Sequence, residues 1–202
     1  MVRMRVSIAL LGALSLLGGL SPIFAASVCA DLENKKPESR LEYLQGERSR
    51  LDRNCVLYAI EQLGNDHYTA AIKTLAAYLD YRRPDPPSFG SPAAPLVVGH
   101  LEWSGSIYPA GTALFQIGKA AVPRLVEVIA DVSTSDLVRN NAGDVVFAIY
   151  REYPAEGIAA LVSAAHARSD PMDSLRLMDQ ARRQAGRCAQ QWRNDCENAV
   201  LK

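Results

Sequence analysis

Excess charge, histidine, strand-forming patterns and long apolar runs are all scarce in this chain of 202 residues. Each scarcity removes a class of protein. Lys and Arg together number 22, and so do Asp and Glu, so no long-range field draws the chain to nucleic acid or to an anionic membrane. The three histidines, His67, His100 and His166, form no His-Glu step and no closely spaced ligand pair, which leaves no metal site of the usual spacing. A glycine-rich phosphate loop, a Gly-x-Ser-x-Gly elbow and a Cys-His nucleophile pattern are also missing. No cofactor is implied, and nothing points to an enzyme by motif. Beyond residue 26 no apolar run reaches the roughly 20 residues of a spanning helix.

What is present begins with residues 1–26. Arg3 and Arg5 precede the uncharged stretch from Val6 to Leu20; Pro22 breaks it, and Ala25 and Ala26 offer a small residue for cleavage. This is the plan of a secretory signal, so the chain is expected to be periplasmic or secreted, with no membrane span once the signal is removed. Removal takes away Arg3 and Arg5 and leaves 20 basic against 22 acidic residues, a net charge of −2. The remainder, 27–202, is 49% hydrophobic and 22% charged on the whole-chain count, which suits one ordinary globular domain.

Apolar residues recur three and four apart in almost every segment after the signal, the helical period. From Pro37 the stripe Leu41, Leu44, Leu51, Cys55, Tyr58 and Leu63 predicts one long helix ending at Gly64. Asn65 or Asp66 would cap a second, with Tyr68, Ile72, Leu75, Ala76 and Leu79 on its apolar face. A Pro-rich insertion at about 82–105 follows, and from Pro109 helices resume in pairs. In the last helix Met172, Leu175, Met178, Ala181, Ala185, Cys188, Trp192 and Cys196 fit one stripe. The arginines 182, 183, 187 and 193, interleaved with Gln and Asp, read as a solvated face.

The pairs repeat. Shifting the chain by 32 residues lays Ala113, Leu114, Phe115, Ile117, Val126 and Ile129 onto Val145, Val146, Phe147, Ile149, Ile158 and Leu161. A shift of 54 lays Ala59, Ile60, Leu63, Gly64, Ile72 and Leu75 onto Ala113, Leu114, Ile117, Gly118, Val126 and Ile129. The two shifts differ by 22 residues, about the size of the insertion. Self-similarity at this period is the mark of a repeat architecture.

The run from Tyr108 to Val126 resembles the junction of a HEAT-like repeat: an Ala/Leu-rich helix, an Ile117-Gly118 stop, then Ala121-Val122-Pro123 opening the next helix. Asp136-Leu137-Val138-Arg139, followed by Ala142 and Val145 to Ile149, is similar to the second helix of such a repeat, where an Asp and an Arg serve the structure. The resemblance is close over 108–165 and looser from Cys55 to Tyr81. It implies an all-α fold, a short α-solenoid of antiparallel helix pairs in about three repeats, with atypical ends. It also implies a protein–protein interaction scaffold without catalytic activity, whose protein or peptide partner and oligomeric state stay unidentified. The alternatives are a hydrolase-type enzyme using carboxylates and His100 beside the insertion, and a structural subunit of an envelope complex.

Export permits disulfides, and Cys29, Cys55, Cys188 and Cys196 allow three connectivities. Linking the first and last helices would require opposite ends of a solenoid to meet. Cys29–Cys55 and Cys188–Cys196 are therefore expected. An unbroken helix would hold the latter two about 12 Å apart, more than a disulfide spans, so the chain should bend near Asn194-Asp195.

Candidate binding residues are Phe89, His100, Trp103 and Tyr108, which put aromatic groups in or beside the insertion, and Arg139 and Asp144 on the face around Asn140. Glu127, Asp131, Asp136 and Asp144 are expected at helix caps and on exposed faces.

Overall fold

The structure, a computed structural model, describes residues 29–85 and 107–192. The signal-like segment, Phe89, His100, Trp103, Cys196, Asn194-Asp195 and nearly all of the insertion lie outside the described residues. Among the described residues every regular element is helical: α1 (Ala30–Glu33), α2 (Pro37–Leu44), α3 (Arg53–Asn65), α4 (Ile72–Ala77), α5 (Pro109–Ile117), α6 (Val122–Ala130), α7 (Asp136–Ile149), α8 (Pro154–His166) and α9 (Pro171–Trp192). Short 3-10 turns occupy Arg48–Arg50, Thr69–Ala71 and Gly118–Ala121.

Local chemistry sets these boundaries. Pro37, Pro109, Pro154 and Pro171 stand first in their helices and Pro123 second, where a missing N–H costs nothing and the fixed φ is already helical. Gly118 ends α5 at φ 79°, a left-handed conformation that side chains resist. Ser135 Oγ accepts from the Val138 N–H at 3.4 Å and caps α7.

The long helix expected from Pro37 to Gly64 is instead two helices. The chain turns at Gly46, whose N–H donates to Tyr43 O, and runs extended through Leu51 and Asp52. Asp52 Oδ1 then accepts from the N–H groups of Asn54 (2.9 Å) and Cys55 (3.1 Å) and starts α3 afresh. A glycine stop and an Asp cap outweigh a continuous apolar stripe because each satisfies backbone groups that the stripe leaves untouched. Nor does Asp66 cap the next helix. Its carboxylate takes the Arg40 guanidinium at 2.7 Å, and the Thr69–Ala71 turn leads into α4 without a side-chain cap.

The 32-residue shift survives in the boundaries: Ile117 and Ile149 both end helices, and Val122 and Pro154 both begin them. The 54-residue shift does not. α3 ends at Asn65 rather than at Leu63, and Ile72 opens α4 whereas Val126 lies inside α6.

Helices α3, α5 and α7 touch in succession, as do α4 and α6. Their apolar faces merge into one core that includes Ile60, Leu63, Leu75, Leu79, Leu114, Leu125, Ile129, Val146, Ile158 and Leu161. Burying each such side chain is worth about 1.5–3 kcal/mol. Small residues set the spacing where α3 meets α5: a Cβ on Gly64 would stand 2.6 Å from the Ala113 Cα. The turns that join successive helices are also laced together. His67 Nδ1 lies 2.7 Å from Gln116 O, Gln116 donates to Asn65 Oδ1 at 3.0 Å, and Lys119 reaches Glu156 at 3.0 Å.

The last helix closes the assembly. α9 packs on α8 and α6 and joins α7 through Arg183 to Asn140 and Arg187 to Asp144, both spanning 43 residues. A constant offset means that α9 runs parallel to α7. Its buried stripe is Leu177, Gln180, Ala181, Gln184 and Cys188, while Met172 and Leu175 are more than half exposed. The expected stripe was therefore displaced at its start. Of the two buried glutamines, Gln184 is satisfied by α7 backbone, its Nε2 donating to Gly143 O at 3.2 Å, and the end of the Gln180 side chain packs against Gly143. Arg182 and Arg183 are exposed, in keeping with a solvated face, whereas Arg187 is half-buried on Asp144.

Candidate functional site

Cys29 is bonded to Cys55, with α-carbons 5.3 Å apart, so the N-terminal segment is tied to the first turn of α3 as expected. Cys188 is disulfide-bonded as well; its partner lies outside the described residues. The Cys29–Cys55 bond rules out a link from Cys55 to the last helix. Among the described residues, the grouping of ligand-type side chains tight enough for a metal ion is Cys29, Asp52 and Cys55. In this structure its sulfurs are bonded to each other, and Asp52 Oδ1 serves as the α3 cap.

The residues expected to bind a partner near Asn140 are placed inside the fold. Arg139 sends its guanidinium into the α6–α7 turn: Nε donates to Ile129 O (3.2 Å), and the terminal nitrogens donate to Thr134 O (2.6 Å) and Asp136 Oδ1 (2.6 Å). It adds a side-chain donor to the C-terminal end of α6, where the Asp131 N–H already bonds back to Glu127 O at 3.0 Å. Asp144, expected on an exposed face, is buried and salt-bridged to Arg187. Tyr108 precedes α5 and is half-buried. Beside it the Arg83 N–H donates to Ile107 O at 2.9 Å, so the chain leaves for the insertion and returns at one point.

Among the described residues, a cleft of about 540 Å³ opens where the C-terminal ends of α4 and α6 meet the α6–α7 turn and the start of α9. Its polar lining includes Asp80, Arg124, Glu127, Asp131, Arg168, Asp170 and Asp173, with Val132 apolar among them. Most of these groups are engaged. Asp80 holds Arg48 at 2.9 Å, Glu127 holds Arg124 at 2.7 Å, and Asp173 holds Arg176 at 3.3 Å. Asp170 Oδ1 caps α9 by accepting from the Met172 N–H at 2.7 Å.

Two groups of opposite charge remain available. Asp131 Oδ1 accepts from the Ser133 hydroxyl (2.7 Å) and backbone N–H (2.8 Å). Those Ser133 bonds, hydroxyl first, hold its carboxyl below the usual range, aided by Arg124 and Arg176. Asp131 is therefore an ionised acceptor, unsuited to donate a proton as a general acid. Arg168 is half-buried and its guanidinium has no hydrogen-bond or ion-pair partner among the described residues. Val132 stands 71% exposed beside them, far more than a valine that serves the core.

In the sequence Asp131 stands out only as one of the carboxylates expected at helix caps and on exposed faces, and Arg168 and Asp170 do not stand out. The signal was there for Asp170, since Ser169-Asp170-Pro171 is an N-cap followed by a first-position proline. No local pattern marks Arg168, because the cleft is assembled from segments nearly a hundred residues apart. No helix among the described residues is long and apolar enough to cross a membrane. No protein-family model, curated protein or solved structure matches this chain.

Proposed function

We propose that the chain is an exported interaction module, a short HEAT-like stack that takes a polypeptide segment of a partner into the cleft at the ends of α4, α6 and α9. The observation that carries this reading is the coexistence there of an ionised acceptor, Asp131, an unpartnered donor, Arg168, and the exposed Val132. An extended peptide offers the complement: N–H and C=O groups side by side, with an apolar side chain between them. Successive contacts of α3, α5 and α7, the shared 32-residue spacing and Arg139 closing the α6–α7 turn support the repeat reading. The disulfide supports an oxidising compartment.

A photo-crosslinking amino acid at Val132, compared with one at the exposed Glu42 of α2, tests the placement in an envelope extract. The module predicts a discrete protein adduct from position 132 that is weakened by Arg168→Ala. Equal labelling from both positions would contradict it.

A further inference from the structure

We infer that Cys29, Asp52 and Cys55 form a divalent-metal site when the Cys29–Cys55 bond is reduced, with thiolate, carboxylate and thiolate as ligands. This inference is independent of the cleft. Both sulfurs and a carboxylate oxygen of Asp52 already lie within 4.8 Å of one another. In a tetrahedral zinc site, metal bonds of about 2.3 Å to sulfur and 2.0–2.2 Å to oxygen keep ligand atoms within about 4 Å. With α-carbons 5.3 Å apart, side-chain rotation alone can bring the two sulfurs to that spacing. The fixed parts of the site are rigid: Cys55 stands in the first turn of α3, and Asp52 is locked by its own capping bonds through Oδ1. Its other oxygen has no partner among the described residues and is open to an ion. Cys29 and Cys55 are buried and Asp52 exposed, so an ion would enter from the Asp52 side and keep a water there as fourth ligand.

The chemistry balances. A phosphine reductant takes the sulfur–sulfur bond to two thiols and leaves as phosphine oxide, with its oxygen from one water. The metal ion then displaces one proton from each thiol to solvent. Two thiolates with one carboxylate carry three negative charges against the ion's two, and the donors suit zinc, cobalt or cadmium better than the hard ions that prefer all-oxygen ligands. The site would replace one clamp between the N-terminal segment and α3 by another, so the same contact would persist in either redox state.

Cobalt(II) titration under nitrogen, on the protein as recovered from cells and reduced with a phosphine, tests this. The expected result is one cobalt ion per chain with thiolate-to-cobalt charge-transfer absorption that is lost in Cys55→Ser and kept in Cys188→Ser. Asp52→Asn preserves the helix cap, since Asn caps as well as Asp, yet removes the anionic ligand; cobalt affinity should fall by about tenfold or more. Helix content by circular dichroism is read alongside. If reduction lowers it, cobalt should restore it in the parent protein and not in Cys55→Ser. Absence of both absorption and recovery, absorption undiminished in Cys55→Ser, or unchanged affinity in Asp52→Asn would overturn the assignment.

Discussion

At Gly64 a single hydrogen atom decides whether α3 and α5 can touch. A methyl group there would meet the Ala113 backbone at 2.6 Å, and backbone cannot yield cheaply. Gly64→Ala should therefore cost at the upper end of the roughly 1–3 kcal/mol typical of overpacking. At Gly143 the added methyl would meet the end of the Gln180 side chain, which can swing, so Gly143→Ala should cost less. Gly186 in α9 has nothing within 4 Å, and Gly186→Ala should stabilise by up to about 1 kcal/mol through helix propensity. Urea denaturation of the three variants checks the order; equal effects would contradict the packing described. Tyrosines make a second residue-scale prediction. Burial raises the Tyr78 and Tyr81 hydroxyls above their usual value, Arg48 and Arg53 opposing it. The folded chain then holds protons that the unfolded chain releases near pH 10. Their contribution to stability is full below that pH and is lost as pH rises through the folded values. Tyrosinate absorbance and helix content, followed together from pH 9 upward, should change in one transition.

The elements differ in how far the sequence disclosed them. Helices from Pro109 to His166 were legible because a proline start, a glycine stop and the apolar period agree, and consistency across levels is what makes local reading work. The break at Gly46 and Asp52 was overlooked because the apolar stripe runs through it in nearly helical phase. The docking face of α9 was hidden for a different reason. Gln180 and Gln184 look like solvent-facing residues, and only the α7 backbone 41 residues away makes Gln184 a buried donor. The partners of Arg187 and Arg183 are likewise 43 residues distant, beyond any spacing rule. At this scale the return of the insertion to its point of departure gives a sharp expectation. With Arg83 N–H bonded to Ile107 O, replacing residues 84–106 by a short Gly-Ser linker should keep the helix content and a single cooperative melt. Loss of cooperativity would show that the insertion belongs to the core.

For the whole molecule, one shared core, laced turns and a covalent tie at the N-terminal end describe a unit that melts together. The Cys29–Cys55 bond closes a 26-residue separation, for which chain entropy gives roughly 3–4 kcal/mol. The Cys29→Ala, Cys55→Ala double variant should lose about that much and still fold with its helices in place, as judged by circular dichroism. The cleft was the least legible feature of all, since Asp80, Asp131 and Arg168 come from three separate stretches of chain and each has an ordinary surface role when read alone. Proposed binding there is most directly tested by selecting peptides from a displayed random library on the parent protein and measuring their affinity for the Asp131→Asn, Arg168→Ala variant. The cleft reading predicts that selected peptides bind the parent and lose about tenfold or more in affinity, at least 1.4 kcal/mol, with the fold unchanged. Peptides that bind parent and variant equally well would contradict it.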